Sequence, residues 1–185
     1  MMKKNKNGFT LVEIIVALAI FSIIIGITSG VFLSGIQAQR KTLASQDLLD
    51  QTNYALEYMS RALRMARKEL SAPGCLSQNG LNYEITRGGK GLKFINYQGV
   101  CQEFFWDINT NRLKESKGGF EEFLTSADFE IKSFNIKLAG ESESDTDQPR
   151  VTLFLKIKGK GQKPEEQPEI KIQTTISQRS LDIKI

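Results

Sequence analysis

The sequence predicts an α+β fold: a long amino-terminal α-helix, its first half transmembrane and its second half packed on a carboxy-terminal antiparallel β-sheet. Three observations predict it. Residues 14–36 form an apolar run without a charge, long enough for the roughly 20 residues that span a bilayer. Residues 48–70 carry an apolar stripe at helical spacing. Beyond Gly74 short alternating runs appear, punctuated by glycine. A helix followed by strands with hairpin-length links argues for an antiparallel sheet laid over the helix stripe. The expected segments are a basic leader over 1–8, a transmembrane half-helix over 9–36, an amphipathic half over 37–72 and a β-rich domain over 73–185.

Lys3, Lys4 and Lys6 precede Gly8 and Phe9, which open the apolar run. One acid, Glu13, sits just inside it. A carboxylate in hydrocarbon costs several kcal/mol, so a membrane acid should have a partner and a purpose. The natural partner is a free α-amine, which would exist only if the chain were cut between Gly8 and Phe9.

Gly8-Phe9-Thr10-Leu11-Val12-Glu13 resembles the cleavage and methylation signature of type IV prepilins and of the pseudopilins of type II secretion and competence systems. The resemblance covers the leader and the first helix. It implies that a membrane-embedded prepilin peptidase removes residues 1–8 and that the new Phe9 amine is N-methylated. Glu13 would then neutralise that amine, on its own or a neighbouring subunit, as helices stack into a filament. The implied fold is pilin-like. The implied function is a subunit of a type IV pilus or pseudopilus, here a minor pilin at the tip or in initiation, serving secretion, adhesion, motility or DNA uptake. The implied partners are other pilin or pseudopilin subunits, the peptidase and methylase, membrane lipid, and an inner-membrane assembly platform with a separate ATPase. No cofactor is implied. A secretory signal peptide would end sooner, and a plain anchor leaves Glu13 and Gly8-Phe9 unexplained. The opposing reading is a membrane-anchored extracytoplasmic binding module that never polymerises. Major pilins commonly carry a proline in the first helix; this chain has none there, which puts the kink in doubt but not the resemblance.

The leader lysines should stay cytoplasmic by the positive-inside tendency, although Arg40 and Lys41 on the far side make the bias modest. The bulk of the chain then lies outside the cytoplasmic membrane, as a single-pass protein assembled at the surface or in the periplasm. Cys75 and Cys101 are the only two cysteines, an even pair in an oxidising compartment. Bonded, they would close a loop of about 27 residues, worth about 3 kcal/mol in the chain-entropy model. The alternative is two unlinked small apolar residues; the bond is expected. Removing the three leader lysines from 25 basic residues leaves 22 against 21 acidic ones. The formal charge of +4 therefore says little about nucleic acid.

From Leu48 onward the expected stripe is Leu49, Thr52, Ala55, Leu56, Met59, Ala62, Leu63, Ala66 and Leu70. Gln51, Asn53, Glu57, Ser60, Arg61, Arg64 and Lys68 read as its wet face, with Glu57 and Arg61 spaced as an i,i+4 pair. Arg67 and Lys68 complement the helix dipole, and Pro73-Gly74 stops the helix. Unbroken from 9 to 70, it would be about 93 Å long. Gly26 and Gly30 form a small-xxx-small pair that permits close helix approach.

The expected strands are 82–86, 92–97, 100–106, 129–138 with one phase slip, 151–157, and 170–176 continuing to Ser180. Asn109-Thr110-Asn111 reads as a turn. Residues 141–147 alternate acids with hydroxyls, yet lack the glycine turn and closing glutamate of an EF-hand, so a solvated hairpin tip is preferred to a calcium loop. Residues 158–167 read as a second hairpin connection. Residues 173–179 look like the final strand of several minor pilins.

Catalysis finds little support, and the chain is not expected to be an enzyme. There is no histidine, which removes the usual general base and zinc ligand. Arg87-Gly88-Gly89-Lys90-Gly91 lacks a phosphate-cradling pattern. Arg61, Arg64 and Arg67 could touch DNA phosphates, but a solvated or subunit-facing stripe is favoured, so nucleic acid is the less favoured partner. Trp106, with Phe104, Phe105, Phe120 and Phe123, is expected in the core.

Overall fold

The computed structural model of the chain describes residues 8–71, 74–141 and 147–179. The leader lysines, the stop at Pro73, the acidic stretch 142–146 and Ser180 lie outside the described residues, while Gln178 and Arg179, expected to extend the last strand, are not strand. The chain divides into two units, Met1–Arg40 and Lys41–Ile185, and one helix, α1 (Leu11–Arg64), contributes to both.

In the first unit, helical residues 11–40 extend about 45 Å at 1.5 Å per residue. Gly26, Gly30 and Gly35 do not interrupt the helix. Ser22, Thr28 and Ser34 return their hydroxyls to the carbonyls of Leu18, Ile24 and Gly30 at 2.8, 2.9 and 3.0 Å. These polar groups are thus satisfied within the helix, as a hydrocarbon environment demands. Its large apolar side chains, Ile14, Leu18, Phe21 and Ile25 among them, face outward. The helix is long and apolar enough to cross a membrane.

In the second unit, α1 buries Leu48, Thr52, Ala55, Met59 and Leu63, whose spacing of three and four keeps them on one face. Leu49, expected in this stripe, points outward instead. So does Leu70, because the helix ends at Arg64, six residues short of the expected end. Tertiary groups cap the carbonyls there. The Tyr83 hydroxyl donates to the Leu63 carbonyl, the Arg179 amide to that of Arg64 and the Gln178 side chain to that of Ala66, each at 2.8 Å. The chain then runs as an extended segment. The Arg67 amide donates to the Ile95 carbonyl at 2.8 Å, and Glu69 exchanges hydrogen bonds with Leu81 and Gly80.

Eight strands follow: β1 (Tyr83–Thr86), β2 (Gly91–Ile95), β3 (Cys101–Asp107), β4 (Arg112–Lys117), β5 (Phe120–Phe123), β6 (Phe129–Ala139), β7 (Arg150–Gly159) and β8 (Glu169–Ser177). All neighbours pair antiparallel, but in two sheets rather than one: a meander of β1 to β5 and a three-stranded sheet β6-β7-β8. The phase slip in β6 is a bulge, where the register shifts between Ile131 and Ser133. It lets Phe129 and Ile131 on one side, and Phe134 on the other, point to the same face.

One apolar core joins α1 to both sheets. Leu48, Met59 and Leu63 from the helix meet Leu92, Phe94, Phe104 and Leu113 from the meander and Phe134, Leu153 and Ile176 from the second sheet. Phe104 and Phe105 are buried as expected, and Trp106 packs at the margin. Phe120 and Phe123 are not core: β5 is an edge strand exposed along its whole length. Phe123 instead lies under the Arg112 guanidinium, 3.7 Å from its ring centre.

Candidate processing and assembly site

Gly8, Phe9 and Thr10 precede the helix, so the Gly8–Phe9 peptide stands outside any helical hydrogen-bonding ladder. Apart from its chain neighbours, no atom of the described residues lies within 4 Å of where a Gly8 side chain would begin, and Phe9 is 78% exposed. The helix opens on Thr10, whose hydroxyl accepts the Glu13 amide at 3.3 Å. Thr10-x-x-Glu13 has the spacing of a capping box, and the structure forms the threonine half of it. Glu13 lies in the first turn, where a carboxylate also offsets the positive end of the helix dipole. Phe9, Glu13, Ile14, Ala17, Leu18 and Phe21 line a shallow apolar groove of about 580 Å³ over the first turns. The structure thus brings Phe9 and Glu13 to one groove one helical turn apart. The Thr10 cap went unread in the sequence, although its spacing was a usable signal.

Cys75 and Cys101 are joined in a disulfide, with Cα atoms 5.3 Å apart. It ties the segment after the helix to the start of β3. Beside it stands Glu69, which is buried. Its carboxylate accepts the amides of Leu76 at 3.1 Å, Ser71 at 3.1 Å and Cys75 at 2.8 Å. Those backbone donors, Leu76 foremost, hold its pKa below the ordinary glutamate value.

A second buried carboxylate, Glu115 on β4, accepts the Tyr58 hydroxyl at 2.9 Å and the Gln102 side-chain amide. Gln102 accepts in turn from the Asn96 side chain at 3.0 Å, and the Asn96 oxygen takes the amides of Gln98 and Val100. Burial, then the Glu115 carboxylate, push the Tyr58 phenol up to about 12. This chain of contacts fixes the turn that leads into Cys101. It braces the fold rather than offering a site, since every acceptor in it is filled from the protein.

Arg61 pairs with Glu57 one turn earlier on the exposed helix face, and Arg64 and Arg67 are also exposed. No group of three or more potential metal ligands occurs among the described residues. Asp147, the one described residue of the acidic stretch beyond Glu141, is engaged by Arg150 at 3.0 Å.

The family model for the prokaryotic N-terminal methylation motif matches residues 3–29. The match spans the leader, the Gly8–Phe9 step, Glu13 and the apolar helix as far as Ser29. No curated protein and no solved structure matches the chain. The chain is prepilin-like over the matched segment, and its architecture of one long apolar helix followed by antiparallel sheets fits that type.

Proposed function

We propose that the chain is a prepilin-peptidase-processed, N-methylated subunit of a type IV pilus or pseudopilus, in the role of a minor pilin. The observation that carries the reading is the methylation motif on a helix whose outward apolar surface has no cover among the described residues of its own unit. Cleavage between Gly8 and Phe9 creates an α-amine, and Glu13 offers the opposing charge one turn away. In a filament the partner amine belongs to a neighbouring copy, so a carboxylate costly in lipid also guides docking. The work is mechanical: helices associate laterally in the membrane and an assembly platform with its own ATPase extrudes them. Residues 1–8 form the cleaved leader, 9–36 the polymerisation half, 37–72 the remainder that leads into the domain, and 73–185 the extracytoplasmic β-rich domain.

Mass spectrometry of the native amino terminus, in cells that hold an active peptidase, tests the proposal. The expected species begins at Phe9 and carries one methyl group. Recovery of the chain with its first eight residues attached overturns it.

A further inference from the structure

The two sheets treat their outward aromatic residues differently. On the meander, Phe105 lies under Arg87, 3.6 Å from its ring centre, and Phe123 lies under Arg112 and Lys114. Glu103 holds Arg87, Glu121 holds Lys114, and Arg112 donates to the Thr125 carbonyl at 2.8 Å. Phe123 stays 48% exposed, but each of these two rings has a cation held over it.

On the second sheet Phe154 stands at the middle of the central strand, 36% exposed, and among the described residues no cation covers it. Its register neighbours are Asn135 on β6 and Gln173 on β8. The next row one way is Ser133, Lys156 and Lys171; the next the other way is Lys137, Thr152 and Thr175. Arg150 and Lys158 lie on the same outward face further along β7. The acids of this face, Glu130 and Glu169, are gathered at one end; Glu169 binds Lys156 at 3.0 Å and draws it off the ring. A depression of about 520 Å³ runs beside Phe154, lined by Ser133, Lys156, Lys171 and Gln173 among others.

Alternate residues along a strand repeat at about 6.8 Å. The face therefore sets an aromatic row, flanked by two amides, between two cationic rows at a separation of the order of one extended nucleotide step. A ring takes a stacked base, carboxamides meet donors and acceptors on a base edge, and lysines meet phosphates. An acidic peptide of aspartate and glutamate would use the lysines but would leave the ring without a stacking partner. We infer that the outer face of β6-β7-β8 binds single-stranded nucleic acid, with Phe154 as the stacking platform and Lys137 and Lys171 as phosphate contacts. The inference is independent of the filament reading, and its surface is separate from Arg61, Arg64 and Arg67.

The test uses the full chain in detergent micelles and a short fluorescein-labelled oligothymidylate, followed by anisotropy at physiological ionic strength. Phe154→Ala should weaken binding about tenfold, and Phe154→Trp should restore it. Lys137→Ala and Lys171→Ala should each weaken binding and flatten its salt dependence by about 0.7 in log–log slope. Arg61→Ala should leave it unchanged. Equal binding by wild type and Phe154→Ala overturns the inference, as does displacement by polyglutamate or an anionic polysaccharide at matched charge as readily as by unlabelled oligothymidylate. The outward position of Phe154 keeps these variants folded, and because no assembly is required, a failure here leaves the subunit reading standing.

Discussion

Glu69 shows how one side chain can organise a segment without regular structure. Its carboxylate gathers the amides of Leu76, Ser71 and Cys75, which otherwise have no ladder to join. Its folded pKa is depressed, so the stabilisation is fully present above the unfolded value near 4.3 and is lost as pH falls through the lowered folded value. Glu69→Gln should lower the melting temperature at neutral pH, and the gap to wild type should close on acidification. Circular dichroism melts at neutral and strongly acid pH measure this; a gap that is the same at both would count against the carboxylate's role. Sequence pattern could not find Glu69, because a lone glutamate after a helix reads as solvated. Glu115 was hidden for the same reason, and its strand with it: in β4 only Leu113 is apolar and inward, while the next inward position is an acid satisfied by Tyr58 and Gln102. By contrast the motif of Gly8, Phe9 and Glu13 was legible because it is local, although the Thr10 cap inside it was not.

At the scale of elements, the sequence was a good guide wherever periodicity met burial. The strands at 129–138 and 151–157 appear as β6 and β7 within two residues at every end, the phase slip is the bulge, and β8 begins one residue before 170 but stops at Ser177, short of the expected continuation to Ser180. The division into two sheets was not legible, since alternation reports a buried face and not which neighbour shares it. The end of α1 was misplaced because the stripe continues through Ala66 and Leu70 while Tyr83, Gln178 and Arg179 claim the carbonyls first. Gln178→Ala should remove the donor to Ala66 and its bond to Asn82, costing about 2 kcal/mol as buried partners go unmet. Urea unfolding of the full chain in micelles measures it; a loss below a few tenths would show the clasp to be dispensable. The Cys75–Cys101 bond spans 26 residues, so Cys75→Ser with Cys101→Ser should cost about 3 kcal/mol by the same measurement. An unchanged urea midpoint would mean that Glu69 alone holds the segment.

For the whole molecule, the proposed function turns on pairing Glu13 with a chain end that processing would create. Glu13→Ala should leave the protein inserted in the membrane and abolish or strongly reduce its incorporation into filaments, as read by shearing filaments from cells and immunoblotting both fractions. The capping geometry supplies the control. Glu13→Gln keeps the capping-box pattern but not the charge, so recovery of assembly in that variant would place the role of Glu13 in the helix start and not in docking.

The clasp at the end of α1 also dictates an order of events. Gln178 reaches Ala66 across 112 positions of chain, and Arg179 closes the carbonyl of Arg64. A polypeptide made from its amino terminus can close the Leu63 carbonyl with Tyr83, but those of Arg64 and Ala66 wait until the final strand has arrived. The end of α1 therefore matures last, and a chain interrupted before β8 would be left with an unfinished neck.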